Sequence, residues 1–191
     1  METTIMKVLA FAASSSSKSI NQQLVSYAAS KLENAEVELL NINDYELPLF
    51  SEDKENELGH PELAAEFLDK IGSSDALIIS FAEHNGSYTA AYKNIFDWAS
   101  RINPKVFQNK PMVMLATSPG PGGASSVLTA ATTSAPYFDG KVSASLSVPS
   151  FYENFDSDKG IMTNREINSQ LYKVVNTLQR EPGLEPVAVQ D

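Results

Sequence analysis

Five short apolar runs recur along the chain with the lengths of β-strands. They are Lys7–Ala12, Val37–Leu40, Ala76–Phe81, Pro111–Ala116 and Val142–Val148. The first, third and fourth runs are almost continuously apolar, which is typical of strands buried on both faces of a parallel sheet. The pattern therefore predicts a five-stranded sheet whose interior strands are covered by other elements on both sides.

Helical spacing fills the intervals between these runs. Apolar side chains recur three and four positions apart in residues 20–32, 62–71 and 90–102, which is the spacing of one helix face. Two more helices are predicted, one after Gly122–Gly123 and one over Glu166–Leu178. Strands that alternate with helices in this way predict an α/β fold, a doubly wound parallel sheet with helices on both faces, and the flavodoxin-like arrangement fits best.

The remaining segments are polar. Residues 41–61 contain Pro48 and an acidic cluster, Glu52–Glu57, and are predicted to form a long loop. Residues 181–191 contain two prolines and no helical spacing, so they are predicted to be a frayed tail. With 191 residues, the chain is expected to form a single domain.

Composition and charge exclude several classes of function. Fourteen Lys and Arg against 24 Asp and Glu give a net charge of −10, which opposes binding to nucleic acid or to an anionic membrane surface. The chain has no cysteine, so thiolate catalysis is excluded, and no metal site is expected because His60 and His84 lack ligand partners at helical spacing. No apolar run approaches the ~20 residues that span a bilayer, and we expect a cytoplasmic protein.

Three loops that follow predicted strands are rich in small or polar residues. They are Ser14–Asn21, Glu83–Ser87 and Thr117–Gly123. Ligands of open parallel sheets bind beyond the carboxyl ends of the strands, at the point where the strand order reverses. The three loops are therefore expected to converge on one site.

The first loop has the composition of an anion site. Its four consecutive serines and Lys18 lead into a helix, where hydroxyls, unpaired amides and the helix dipole all favour a phosphate. A plain serine turn with Ser19 as the helix cap is the alternative. The loop has no glycine, so it is neither the dinucleotide fingerprint nor a P-loop.

The second loop and the helix after it carry the most informative motif. The run Glu83-His84-Asn85-Gly86-Ser87 is followed by Lys93-Asn94-Ile95-Phe96-Asp97-Trp98. This pair resembles the Pro-Glu-Tyr-Asn-Gly-Ser and Leu-Lys-Asn-x-x-Asp-Trp motifs of the NADPH-dependent FMN reductase family. The first loop resembles the family's phosphate loop, Thr117–Gly123 its glycine-containing flavin loop, and Pro48-Leu49-Phe50 its element after the second strand. The resemblance covers residues 6–180.

Several positions depart from the family pattern. Ala13 and Ser16 stand where the family usually has glycine and arginine, and Ala82 and His84 replace proline and tyrosine. Loss of the arginine removes a charge-assisted contact to phosphate. Lys18 is near enough in sequence to replace that charge, and a lysine that simply faces solvent is the alternative.

The resemblance implies an oxidoreductase that takes hydride from NADPH or NADH onto FMN and passes electrons to flavin, a quinone or a similar small acceptor. The flavin carries out this chemistry, so no catalytic side chain is assigned. An electron carrier without efficient NAD(P)H turnover is the alternative. The residues expected to bind FMN are Ser14, Ser16, Lys18, Ser19, Ile20, Asn21, Glu83, His84, Asn85, Gly86, Ser118, Gly120, Gly122 and Gly123.

The resemblance also implies a homodimer or homotetramer with its interface beside the flavin. Aromatic residues around Tyr45 and Phe50, and those at positions 92, 96 and 98, are expected to offer apolar surface for it. Trp98 by itself is more typical of a core or subunit-interface residue than of a cofactor contact.

Simpler structural roles remain open for the second and third loops. Glu83 is equally suited to cap the following helix, and His84 to be a partly exposed ring. Ser87 is predicted to cap the next helix. The glycines of the third loop fit a close backbone approach to the flavin ring or a plain turn.

Overall fold

A computed structural model describes residues 5–180 of the chain. Five strands form one sheet, and two very short strands pair separately. The strands of the main sheet are β1 Met6–Ala13, β2 Ala35–Leu40, β3 Ala76–Phe81, β4 Pro111–Thr117 and β5 Lys141–Val148. The short antiparallel pair is β6 Phe155–Asp156 and β7 Ile161–Met162.

Helices connect the strands. The α-helices are α1 Ile20–Ala29, α2 Glu52–Leu58, α3 Glu62–Ser73, α4 Ala90–Ile102, α5 Ser125–Ser134, α6 Phe151–Asn154 and α7 Arg165–Val175. Short 3-10 helices cover Ile42–Tyr45, Ala135–Phe138 and Leu178–Arg180.

The main sheet is parallel throughout, with the strand order β2-β1-β3-β4-β5. One apolar cluster packs α1 and α7 against one face of the sheet. A second cluster packs α3, α4 and α5 against the other face. The doubly wound flavodoxin-like fold predicted from the sequence is confirmed. A single domain over all 191 residues stays a prediction, and the frayed tail at 181–191 lies outside the described residues.

The prediction of a long loop at residues 41–61 was wrong. This segment contains the 3-10 helix and α2, which Ser51 caps by accepting a hydrogen bond from the Lys54 amide at 3.1 Å. No residue of α2 is buried, so the helix has no apolar face that a sequence pattern could reveal. Arg101 holds it by donating to both Glu55 carboxylate oxygens at 3.0 Å, and this bonding lowers the pKa of Glu55 below its usual range.

Among the helices within residues 5–180, none has the length and apolar character needed to cross a bilayer. In the same range, no three His, Cys, Asp or Glu side chains come together as a group that could hold a metal ion.

Candidate functional site

The three loops leave adjacent strands at the same edge of the sheet. They follow β1, β3 and β4, which are consecutive in the strand order. The order reverses between β1 and β3, and this is the position where doubly wound sheets bind ligands. The structure therefore brings together the three segments that the sequence singled out.

The first loop presents hydroxyls at the start of α1. Ser19 is buried and caps the helix by accepting from the Gln22 amide at 3.3 Å. Ser16 and Lys18 are exposed. The first turn of α1 contains no acidic residue, so the positive end of the helix dipole is not neutralised locally. Capping and anion binding can therefore coexist in this loop, because the cap occupies only one of the unpaired amides.

Asn21 links the first loop to the neighbouring strands. Its side chain is 2% exposed. Its Oδ1 accepts from the Ser80 hydroxyl at 2.8 Å and from the Thr117 amide at 3.1 Å, while its Nδ2 donates to the Thr117 carbonyl at 3.2 Å. These bonds commit the amide group to joining α1, β3 and β4. The role that geometry assigns to Asn21 is to position the loops, and a direct FMN contact stays a prediction.

The second loop is a tight turn. The His84 amide donates to the Ser87 carbonyl at 2.9 Å and the Ser87 amide donates back at 3.1 Å. Between them, Asn85 and Gly86 have φ of 53° and 76°, which are both in the left-handed region that a two-residue type I′ turn requires. The four residues of this turn are exposed, so its backbone and the His84 ring face solvent at the candidate site.

The prediction that Ser87 caps α4 was wrong. Thr89 is the cap, since its hydroxyl oxygen accepts from the Tyr92 amide at 3.3 Å. The same hydroxyl donates to the Ala13 carbonyl at the end of β1, at 3.0 Å. Thr89 is buried, and it joins the start of α4 to the end of β1.

Glu83 does cap a helix, but not the one that follows it. Its carboxylate accepts from the Val127 amide of α5 at 2.9 Å. The residue before α5, Ala124, has φ of 59° and provides no side-chain cap. Glu83 therefore supplies the cap from another loop and ties the second loop to α5, the helix that follows the third loop.

The glycines of the third loop differ in how much space surrounds their α-carbons. An added Cβ would meet nothing within 4 Å at Gly120 or Gly122, so these two positions border open space. Gly123 has φ of 59°, and an added Cβ would collide with Ser147 and lie 3.1 Å from the Pro149 backbone nitrogen. Gly123 is thus required by packing as well as by conformation.

A fourth segment, missed in the sequence analysis, borders the third loop. The Ser150 amide donates to the Gly120 carbonyl at 2.9 Å, and the Phe151 amide donates to the Ser118 carbonyl at 3.1 Å. This segment follows β5, so its position at the same edge of the sheet was the available signal.

The motif Lys93–Trp98 on α4 holds the backbone of residues 47–50 in place. The Asn94 side chain accepts from the Phe50 amide at 2.9 Å and donates to the Leu47 carbonyl at 3.0 Å. Trp98 is fully buried and its Nε1 donates to the Pro48 carbonyl at 2.7 Å. We call these two side chains and the backbone they bind the Asn94–Trp98 clamp. The core role for Trp98 is confirmed.

The expectation that aromatic residues offer apolar surface was wrong for most of them. Tyr45, Tyr92 and Trp98 are buried within the chain. Their burial comes from packing among aromatic rings, such as Tyr45 on Phe67 with centroids 5.7 Å apart. Leu49, which the Asn94–Trp98 clamp holds in place, is the exposed apolar residue of this region, at 79%.

The sheet order and the loops at its reversal define the class of this protein, a flavodoxin-like α/β protein with its candidate site at the switch point. Residues 6–152 match the family model described as NADPH-dependent FMN reductase. The chain belongs to this family. The oxidoreductase class and the FMN cofactor expected from the sequence are those of the family.

Individual relatives agree with this assignment. An NAD(P)H:quinone oxidoreductase of Solanum tuberosum is 30% identical over 156 residues, which cover 75% of this chain and 74% of that protein. An NAD(P)H-dependent FMN reductase of Pseudomonas aeruginosa is 37% identical over 84 residues, and the match spans only 44% of either protein. The structure of a flavoenzyme NAD(P)H:(acceptor) oxidoreductase from Paracoccus denitrificans has a TM-score of 0.72 at 26% identity, covering 91% of this chain and 95% of that one.

Proposed function

We propose that this chain binds FMN across the three loops and uses it as an NAD(P)H-dependent oxidoreductase that reduces a small acceptor such as a quinone. The observation that carries the proposal is the meeting of a serine loop at a helix start, a left-handed turn and a glycine loop at the switch point. The names of the relatives supply the hydride donor and the quinone acceptor.

The first loop would hold the phosphate. The exposed Ser16 hydroxyl and Lys18 ammonium, with the free amides at the start of α1, offer donors to an anion. Ser19 and Asn21 keep the loop in place through the cap and the buried hydrogen bonds. The chain thus divides phosphate binding between exposed donors and buried positioning groups.

The second and third loops would hold the ring. FMN supplies the hydride-accepting chemistry when it is bound, so the protein's part is binding and orientation. The exposed backbone of the Asn85–Gly86 turn would donate to the polar edge of the ring. Gly120 and Gly122 leave open space where a ring can approach the backbone.

Reconstitution of the purified protein tests the proposal. We expect FMN to shift the absorbance of the mixture from that of free flavin, and NADPH or NADH to be oxidised when FMN and benzoquinone are present. Binding of FMN without oxidation of either nucleotide would favour the electron carrier, for which a net charge of −10 would suit basic partners. Failure to bind FMN would overturn the proposal.

Removing the exposed donors of the first loop should weaken FMN binding without unfolding the protein. We expect Ser16→Ala combined with Lys18→Ala to raise the FMN dissociation constant roughly tenfold, through loss of charge-assisted contacts. Ser19→Ala is the comparison, and it should lower the free energy of unfolding of the FMN-free protein by about 1 kcal/mol through loss of the cap. Fluorescence titration and urea unfolding measure the two effects, and an unchanged FMN affinity in the double variant would refute the phosphate assignment.

We also propose that the chain forms a homodimer, or a pair of dimers, through the segment around Leu49. The clamp fixes this apolar side chain in an exposed position, and a large rigid apolar group is typical of an interface centre. Leu49→Asp should therefore shift the mass in light scattering from a multiple of 20.8 kDa towards the single chain. Leu39→Asp, at an edge-strand residue that is 51% exposed, is the matched control and should not.

The cytoplasmic location expected from the sequence stays a prediction. Fractionation of cells that express the natural gene would test it.

A further inference from the structure

A cavity of about 240 Å³ lies between α4 and α5. It is on the face of the sheet that packs α3, α4 and α5, and none of the residues proposed to hold FMN lines it. Half of the residues that line it are aromatic, namely Phe81, Tyr88, Tyr92, Phe96, Phe107 and Phe138. Lys93, which is exposed, also lines it, so the cavity is reached from solvent.

The hydroxyl of Tyr92 lacks a hydrogen-bond partner in this cavity. Tyr92 is 3% exposed, and its oxygen makes no hydrogen bond within residues 5–180. In the same range, the single fully enclosed side-chain polar atom without a partner is Gln23 Oε1, so the Tyr92 oxygen is in contact with open space. A ligand with an acceptor oxygen in this cavity would pair with the Tyr92 hydroxyl. A tyrosine hydroxyl is a donor at neutral pH, and burial raises the pKa of Tyr92 well above its usual value.

A second tyrosine offers the complementary function. The Tyr88 hydroxyl lies 3.1 Å from Ser134 Oγ, and the Ser134 hydroxyl donates to the Ala131 carbonyl at 3.2 Å. Tyr88 therefore donates to Ser134, which leaves lone pairs on its own oxygen free to accept. The two tyrosines thus offer one donor and one acceptor to the cavity, on rings whose centroids are 5.5 Å apart.

We propose that this cavity is a second binding site, and that it takes a neutral phenol with a single ring. A cavity of roughly 150 Å³ suffices for benzene, and aromatic walls favour edge-to-face packing with an aromatic ligand. The oxygen of a phenol would accept a hydrogen bond from the Tyr92 hydroxyl, and the phenol's own O–H would donate a hydrogen bond to the Tyr88 oxygen. Lys93 and Asp97 pair with each other at 2.6 Å, so the rim presents no net charge and favours a neutral ligand.

A purely apolar occupant would satisfy less of the site. A hydrocarbon, or an apolar side chain from a second copy of this chain, would pack against the aromatic rings of the cavity but leave the Tyr92 hydroxyl unpaired. The contribution of the ligand's hydroxyl group therefore separates the proposed ligand from these other occupants.

Isothermal titration of the full chain with p-cresol and with toluene tests the proposal. We expect p-cresol to bind one molecule per chain, and more tightly than toluene. Tyr92→Phe should weaken the binding of p-cresol by about threefold to tenfold and leave the affinity for toluene unchanged, since only the hydroxyl is removed. Tyr137→Phe is the matched control: Tyr137 is 83% exposed and does not line the cavity, so neither affinity should change.

A second variant locates the binding. Ser100 is half-buried and lines the cavity from α4, so Ser100→Phe should fill the space and abolish binding of both compounds. The proposal is overturned if neither compound binds the unaltered protein, if Tyr92→Phe leaves p-cresol affinity unchanged or weakens both compounds equally, or if Ser100→Phe still binds them. The titrations need neither FMN nor NADPH, so their failure leaves the proposed function untouched.

Discussion

Gly86→Val is expected to remove most NADPH oxidation, whereas His84→Ala should retain most of it. Gly86 has φ of 76° next to Asn85 at 53°, and a β-branched residue strongly disfavours this region, at a cost of about 1–2 kcal/mol or more. An added Cβ meets nothing within 4 Å, so the damage would come from a changed turn and not from a collision. The His84 ring is exposed, so its loss leaves the turn intact.

Gly160→Val separates strain in general from strain at this site. Gly160 has φ of 66° and also has nothing within 4 Å of an added Cβ, but it lies outside the three loops. Steady-state turnover and FMN titration of the three variants give the comparison, with Gly160→Val expected to retain both. If His84→Ala abolished NADPH oxidation while Gly86→Val kept FMN and turnover, the backbone account would fail and His84 would become a catalytic residue.

Asn21→Ala is expected to have the largest effect on stability among the site residues. It would leave the buried Ser80 hydroxyl and Thr117 amide without their shared acceptor, at a cost on the order of 2–3 kcal/mol. FMN should also bind more weakly, because the first and third loops lose their link. Urea unfolding without FMN, followed by FMN titration, measures both effects.

Asn43→Ala is the control for the loss of an asparagine side chain, since Asn43 is exposed. Its free energy of unfolding should lie within about 0.5 kcal/mol of that of the unaltered protein, as is usual for surface substitutions. If the urea midpoint of Asn21→Ala equalled that of Asn43→Ala, the buried hydrogen bonds would not stabilise the site. The positioning role assigned to Asn21 would then be refuted.

The sheet could be predicted from sequence because its signal is local and strong. Ala76–Phe81 is apolar at nearly every position and buried at all of them, so the observed strand begins and ends where the pattern does. The helix α2 could not be predicted in this way, because it buries nothing. Its cap Ser51 and its acidic first turn were the remaining signals, and within a polar stretch they resemble a turn.

The loops of the candidate site could be predicted, but the contacts between them could not. The sequence predicts Glu83 as a possible cap of the helix that follows it. The structure assigns it to Val127, 44 positions further along the chain. Such a pairing depends on how α5 approaches β3 in three dimensions, and no periodicity records that approach.

The Asn94–Trp98 clamp provides an intrinsic optical reporter. Trp98 is the single tryptophan of the sequence, and it is buried with its Nε1 on the Pro48 carbonyl and Phe50 edge-on at 5.1 Å. Any opening of residues 48–50 would expose the indole to water, and its emission would shift to longer wavelength. Movement of this one segment, 50 positions away in sequence, can therefore be followed by fluorescence without attaching a label.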